Sequence, residues 1–479
     1  MLRTAKAKQA LWCALLAAAA LFLCSKSSPL FVLNDWMDAN IFFTMGKSMF
    51  EGKVLYRDVF DHKGPVLYLL YGLGWLLDHT GFTGVWLLEV AAFACFLFFS
   101  LRTVSLFLPA PLCPAWAAVP AAVIAASRAF SHGGSAEEFL LPFLAAALYC
   151  LLRALQTGRQ VPLWVVCIQG ALAGCALWLK YTVLGFYLAW VLVLTVWYVR
   201  HGWRRALAQS CGAYLGGVAL ATLPWAVYFG AHGALADWFT VYFYDNLFLY
   251  SGSGGPLDFV RHLWWAVRDA LPGMGLFLLF LVWAAFRRRR AAVAVCVLVA
   301  GLAGTSLMGG YLVYYGLVLA VFAPLGLVPL ALLAAQVRAP RWGRMAAPWA
   351  LVLAGAAFCW FLSPNRALRG RAPESLPQMR FAARITAREE PSLLNYGTLD
   401  GGFYTAAGVL PPARYFCVTN MPLEGQWEEQ NALLENGAVE YAVALVGDLE
   451  RRFPHYRCVD QCTYDGGEGT VTWYLYQRQ

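Results

Sequence analysis

The 479-residue chain is 60% hydrophobic and 13% charged, with a mean hydropathy of +0.57 and a formal net charge of +9. Soluble globular chains carry about a quarter of their residues as charges, so a disordered protein, a collagen and an ordinary soluble enzyme are excluded. On so apolar a chain a basic excess points to the cytoplasmic loops of a membrane protein and not to nucleic acid.

A span needs about 20 mostly apolar residues. The first runs from 11 to 33, behind Arg3, Lys6 and Lys8. Leu21-Phe22-Leu23-Cys24 lacks the small residues of a cleavage site, so a retained helix is expected and not a signal peptide. Ten more follow at 82–101, 112–127, 139–152, 162–179, 181–199, 207–230, 270–286, 291–308, 311–335 and 346–362. The expected fold is therefore an α-helical polytopic membrane protein of about eleven transmembrane helices. With the N-terminus inside, the inner segments carry sixteen lysines and arginines and no acid, from Arg3 through Arg287–Arg290 to Arg344. The opposite loops hold mixed charge, including Asp35, Asp38, Asp58, Asp61, Glu137 and Glu138. Basic residues resist translocation, so this asymmetry sets the orientation and places the C-terminus outside.

The first outer loop, 34–81, is crowded with polar groups. Asp35 and Asp38 are three apart, and each is a helix N-cap or a carboxylate at a cavity mouth, available as base or metal ligand. Residues 39–50 and 66–77 read as short helices lying on the membrane. Gly64-Pro65 opens the second, and Lys63 stands beside its first N–H groups. A cation there is unfavourable unless an anion lies between, which suits a phosphate. Snorkelling to lipid head groups is the plainer reading of Lys63. The second outer loop runs Ser127-Arg128 to Glu137-Glu138, and adjacent carboxylates at a span end need partners or water. The third, 237–250, is aromatic: an interfacial belt, or a groove for an isoprenoid chain.

The composition changes at 363. The segment 363–479 has fourteen acids and eleven basic residues, and short apolar runs at 393–396 and 441–446 flank a helix-like stretch at 424–436. The domains are thus 1–362, a transmembrane domain, and 363–479, a small extracytoplasmic α/β domain. Thirteen cysteines are scattered, ten in or beside apolar segments. Cys458 and Cys462 are either a disulfide or two free thiols. No P-loop, G-x-G-x-x-G, H-E-x-x-H or nucleophile elbow occurs.

At the first loop the sequence resembles bacterial membrane glycosyltransferases of the GT-C superfamily, the group with aminoarabinose transferase and protein mannosyltransferases. An acid just after the first span opens a helix that ends, fourteen residues on, at Gly52. Tyr56-Arg57-Asp58 and then His62-Lys63-Gly64-Pro65 follow, the last like the family's basic-Pro element. This spacing aligns Asp38, and not Asp35, with the family's loop acid. The next position is Ala39, where many relatives carry a second acid. The resemblance implies transfer of a sugar from a polyprenyl-phosphate donor to an acceptor on the outer face of a bacterial inner membrane. Asp38, or Asp35 in its place, would activate the acceptor or help hold a divalent metal, Mg or Mn. Lys63, with His62 and Arg128, would contact the donor phosphate, and the second-loop acid maps onto Glu137 or Glu138. A transporter or flippase of lipid-linked glycans is the alternative, and a non-catalytic assembly protein a third reading. Transporters carry ionisable groups inside their spans, whereas here the acids cluster in loops, Lys180 and Glu89 excepted.

Overall fold

The computed structural model describes residues 2–250, 255–338, 340–466 and 469–479. In chain order it forms helices α1 (Leu2–Cys24), α2 (Met37–Phe50), α3 (Pro65–Trp75), α4 (Thr83–Val104), α5 (Ala118–Ala125), α6 (Ala136–Thr157), α7 (Leu163–Lys180), α8 (Leu184–Arg200), α9 (Arg204–Ala231) and α10 (Leu235–Phe239). A π-helix (Thr240–Tyr250) precedes α11 (Pro256–Asp269), α12 (Gly273–Arg287) and α13 (Arg289–Ser306). A 3-10 helix (Val313–Gly326) runs into α14 (Leu327–Ala334), then α15 (Arg341–Leu362) and α16 (Pro377–Ile385). The remainder is β1 (Leu393–Asn395), α17 (Phe403–Ala406), α18 (Gly425–Glu435), β2 (Tyr441–Ala444), α19 (Leu449–Arg452), β3 (Tyr456–Asp465) and β4 (Thr470–Arg478).

Among the described residues eight helical segments are long and apolar enough to cross a membrane, or nine if α11 and α12, bent by 103°, make one span. The expected count of eleven is not reached on this measure, for two reasons. Pro114–Ala125 is apolar but short. Leu163–Arg200 counts as one 38-residue segment, yet it folds back on itself. The helix breaks at Lys180, where φ is −159° and ψ 102°. The Tyr198 hydroxyl then accepts from the Val161 N–H at 2.9 Å, so the two ends meet. A straight helix of that length would hold them about 57 Å apart.

The chain divides into two compact units. The first comprises 1–25, 89–224 and 252–366 and holds most of the apolar helices. Its α15 packs one side against α1 and α5 and leaves an apolar side uncovered, with Trp342, Trp349 and Leu353 largely exposed. An apolar helix that leaves so many large apolar side chains uncovered is what a hydrocarbon solvent allows and water does not. This is a multi-pass membrane protein.

The second unit comprises 26–88, 225–251 and 367–479. The C-terminal segment thus shares one compact unit with the first loop, a boundary that the composition change at 363 does not reveal. Its sheet has the order β1-β2-β4-β3. β1 and β2 are parallel, crossed over by α18, while β2–β4 and β4–β3 are antiparallel. Leu394, Leu434, Ala442, Phe453, Tyr456 and Tyr476 are among the side chains of its core. Cys458 and Cys462 both lie on β3 and are free thiols. Four residues of strand separate them by about 13 Å, and a disulfide needs Cα atoms within about 7 Å.

Helices α2 and α3 pack against each other in this unit. Gly46 meets the backbone of Tyr68 and Gly72 so closely that a Cβ at 46 has no room. α2 is buried at ten positions from Ala39 to Ser48. It is an interior helix and not one lying on the membrane: its polar side chains Asn40, Thr44 and Lys47 are buried in protein.

Candidate active site

Lys63 is held by its own backbone. Its N–H donates to the Tyr68 hydroxyl at 2.9 Å, and its carbonyl accepts from the Tyr56 hydroxyl at 2.7 Å. The preceding carbonyl, of His62, accepts from Asn246 Nδ2 at 2.8 Å. Tyr56 takes φ +69°, a left-handed conformation that is costly for a bulky residue. The Tyr56-Arg57-Asp58 turn holds it there: Tyr56 N–H donates to Val59 O, and Asp58 Oδ2 accepts from Val54 N–H. Gly64 then caps α3 and Pro65 fills its first turn. The half-buried Lys63 side chain therefore projects from a pinned backbone beside the start of α3.

Behind Lys63 stands a buried chain of titratable groups. Lys63 Nζ is 2.6 Å from His62 Nε2. His62 Nδ1 lies 3.3 Å from Asp61 Oδ1, and Asp61 Oδ2 accepts from the Tyr68 hydroxyl at 2.7 Å. Burial opposes charge on Asp61, but His62, Lys63 and the Tyr68 hydroxyl outweigh it and hold the carboxyl well below the usual range. Burial and the Lys63 ammonium lower the basicity of His62, against the pull of Asp61 and Asp38. At neutral pH the chain is then carboxylate, neutral imidazole, ammonium. Nε2 accepts from Lys63, so the ring proton sits on Nδ1, toward Asp61. Tyr250 covers one side: its ring lies 4.5 Å from that of His62, and Lys63 Nζ is 5.4 Å from its centre.

Asp38 stands half-buried in the first turn of α2 and acts electrostatically on His62. Neither it nor Asp35 caps the helix, whose N-cap is Trp36 with no side-chain hydrogen bond. Phe42, one turn on, packs against Tyr68 and Tyr71 of α3. Asp38 and Phe42 lie on one stripe, which directs Asp38 to the α3 side of α2. Asp35 has gone elsewhere. Its carboxylate takes Lys26 Nζ at 2.6 Å and the Tyr464 hydroxyl, and both members of the ion pair are buried. A metal ion would have to displace Lys26 to use it. Among the described residues no group of three His, Cys, Asp or Glu side chains is placed to hold a metal ion, so the donor set does not fit one held by protein ligands alone.

The second-loop residues belong to the other unit, where each has its own partner. Ser135 caps the start of α6: its Oγ accepts from Glu138 N–H, while Glu138 Oε2 accepts from Gly134 N–H, one residue before the cap, at 2.9 Å. Glu137 pairs with Lys180, whose ammonium lies 3.7 Å from the centre of the Tyr315 ring. Arg128 is exposed, 3.7 Å from Asp269, a buried carboxylate that also holds Arg268 and the Tyr311 hydroxyl.

The sequence reading passed over Asp61, Tyr68, Asn246 and Tyr250 as parts of this arrangement. Asp61 was legible as a carboxylate next to a histidine. Asn246 was not, because its partner is 184 residues away.

No protein-family model and no curated protein sequence matches the chain. Solved structures do. ArnT from Cupriavidus metallidurans bound to undecaprenyl phosphate superposes with a TM-score of 0.65 at 16% identity, over 97% of this chain and 98% of that one. The same protein in its apo state gives 0.59 at 15% identity, over 96% of each. Arabinofuranosyltransferase AftD from Mycobacteria gives 0.51 at 14% identity, over 98% of this chain and 40% of that one. The chain has the fold of the GT-C glycosyltransferases, which the first-loop motifs had led us to expect.

Proposed function

We propose that the protein is an integral-membrane glycosyltransferase that moves a sugar from a polyprenyl-phosphate donor to an extracytoplasmic acceptor in the cell envelope, a glycan, lipid or protein. The observation that carries this reading is the pinned Lys63 ammonium, backed by His62 and Asp61 at the start of α3, with Asp38 acting from α2. The fold supports it, since ArnT with that fold was solved bound to undecaprenyl phosphate.

The chemistry divides between two groups. The acceptor hydroxyl attacks the anomeric carbon while the Asp38 carboxylate takes its proton. The bond from that carbon to the phosphate oxygen breaks, and the electron pair leaves with the polyprenyl phosphate. Lys63 meets the phosphate charge that develops, and the α3 N–H groups add to it. His62 orients Lys63 and, being neutral, does not repel it. One base and one displacement invert the anomeric configuration. Asp35, already paired with Lys26, is not placed to hold a divalent ion.

Incubating the purified protein with a panel of polyprenyl-phosphate sugars tests the reading. Consumption of one donor with release of polyprenyl phosphate is expected. Movement of intact lipid-linked glycan across proteoliposomes without donor consumption would make it a flippase instead.

A further inference from the structure

The face of α2 turned away from Asp38 carries Asn40, Thr44 and Lys47. Two residues along a helix turn it by about 200°, and positions 40, 44 and 47 form one stripe. All three side chains are buried. Against them lies the turn Asp400–Gly402, which belongs to the same compact unit. Fully buried Asp400 accepts from Thr44 Oγ1 through Oδ2 at 2.7 Å and from Gly402 N–H through Oδ1 at 2.9 Å. Gly402 has φ +91°, and a Cβ there would meet Asn40 Oδ1 at 3.0 Å, so glycine lets the turn reach the helix. Asn40 Nδ2 is committed to the carbonyls of Asn34 and Trp36, at 2.8 and 2.9 Å, and closes the chain entering α2.

The turn is itself rigid. Gly401 N–H donates to Asn395 Oδ1 at 3.0 Å, and Gly401 O accepts from Gln378 Nε2 at 2.8 Å. Asn395 ends β1 and Gln378 lies in α16, so the turn is bolted to the frame of the C-terminal segment. α2 lacks a side-chain cap at its own start. The packing on α3 holds its front, and the Asp400 turn holds it from behind.

The Lys47 ammonium is buried without a hydrogen-bond partner among the described residues, and the charges that act on it are Glu51 and Asp400. It gives the Asp400 carboxylate a counter-charge without competing for either oxygen.

We propose that Asp400 is a positioning residue of the transferase site: through Thr44 it fixes the rotation of α2 and so the direction of the Asp38 carboxylate. The proposal rests on the reading of Asp38 as the base. Side chains of a helix reach about 5–6 Å from its axis. A rotation of about 10° then displaces the carboxylate by about 1 Å, a misplacement that costs on the order of 100-fold in rate.

Thr44→Val removes the hydroxyl and keeps the shape, whereas Thr44→Ser keeps the hydroxyl. With the donor identified above, Thr44→Val should lower kcat about 10- to 100-fold and leave KM for the polyprenyl-phosphate sugar unchanged, because Lys63 is not on α2. Thr44→Ser should stay within about twofold of the native rate. Asp400→Ala, which removes the acceptor that Thr44 uses, should show the same split as Thr44→Val and serves where that variant folds poorly. Hydrogen–deuterium exchange of the α2 amides gives a readout independent of activity: it should quicken in Thr44→Val and not in Thr44→Ser. Equal kcat in the valine and serine variants overturns the proposal. If the native protein consumes no polyprenyl-phosphate sugar, the reading of Asp38 fails. The clamp is then judged by exchange alone, and unchanged α2 exchange in Thr44→Val overturns it.

Discussion

Asp35 and Asp38 are three residues apart and chemically alike, yet their surroundings give them different work. Asp38→Asn keeps the shape of the side chain but cannot take a proton, so transfer should fall by about 10²–10⁴-fold, the usual cost of losing a general base. Donor binding, measured on the same variant, should persist. Asp35→Asn should instead leave Lys26 buried and unneutralised, at about 3–5 kcal/mol of stability. Thermal unfolding in detergent separates the two: Asp35→Asn should lower Tm while Asp38→Asn does not. A fully active Asp38→Asn would move the base elsewhere. On the proposed reading, Lys63→Ala removes a charge-assisted hydrogen bond to the donor phosphate, worth about 1.5–3 kcal/mol. Donor affinity should weaken by about 10- to 150-fold, since 1.4 kcal/mol is about tenfold. Unchanged donor affinity in a folded Lys63→Ala would leave this lysine as a lipid-facing anchor.

At the scale of the element, α2 carries the proposed base, Asp38, on one stripe and the hydrogen bond from Thr44 to Asp400 on another. That support titrates. Burial pushes the Asp400 carboxyl up to about 6 and pulls the Lys47 ammonium down to about 8. Between about pH 4 and 6 the folded chain holds a proton on Asp400 that the unfolded chain has lost, so Asp400 makes stability fall as pH rises through that window. Between about pH 8 and 10.5 the unfolded chain holds a proton on Lys47 that the folded chain has lost, so Lys47 makes stability rise with pH there. The other titratable groups facing this pair are Glu51, Tyr404 and Cys417. Tm profiles in detergent check this: Asp400→Asn should flatten the acid slope and Lys47→Met the alkaline one. A Lys47→Met profile parallel to the native one above pH 8 would refute the assignment. The helical hairpin α7–α8 makes a related point about elements. Its two apolar runs were readable as separate spans, but the fold-back at Lys180 is visible only in long-range contacts such as Val161 N–H to the Tyr198 hydroxyl.

For the whole molecule, the charge asymmetry predicts that Asp38 and the segment 363–479 face outside the cytoplasm. Sixteen lysines and arginines lie in the loops on the opposite side. Single cysteines introduced at an exposed position of 363–479 should react with a membrane-impermeant maleimide in intact cells, and one in the Arg287–Arg290 loop should not. Labelling of the arginine loop alone would invert the topology. The agreement in fold with ArnT over 97% of the chain, at 16% identity, shows how little sequence this architecture demands. Apolar runs of the right length suffice for the helices, because in hydrocarbon each must satisfy its backbone internally.

The sequence by itself determined the membrane character and the places of the apolar helices, and it marked the first loop as the place to look for chemistry. These are local properties: composition, run length, and motifs spaced within one loop. His62-Lys63-Gly64-Pro65 was readable because a cation beside a helix start carries its meaning in four consecutive residues. Only the tertiary structure decided what those residues rest on. Asn246 holds His62 from 184 residues away, Asp400 holds Thr44 from 356, and Tyr464 takes Asp35 from 429. The same holds for Cys458 and Cys462, whose four-residue spacing allows a bridge in a loop and forbids it along one strand. A carboxylate looks the same in the sequence whether it takes a proton, pairs with a lysine or clamps a helix. Its role is set by what the folded chain brings against it, and burial, pairing and pKa all follow from that company.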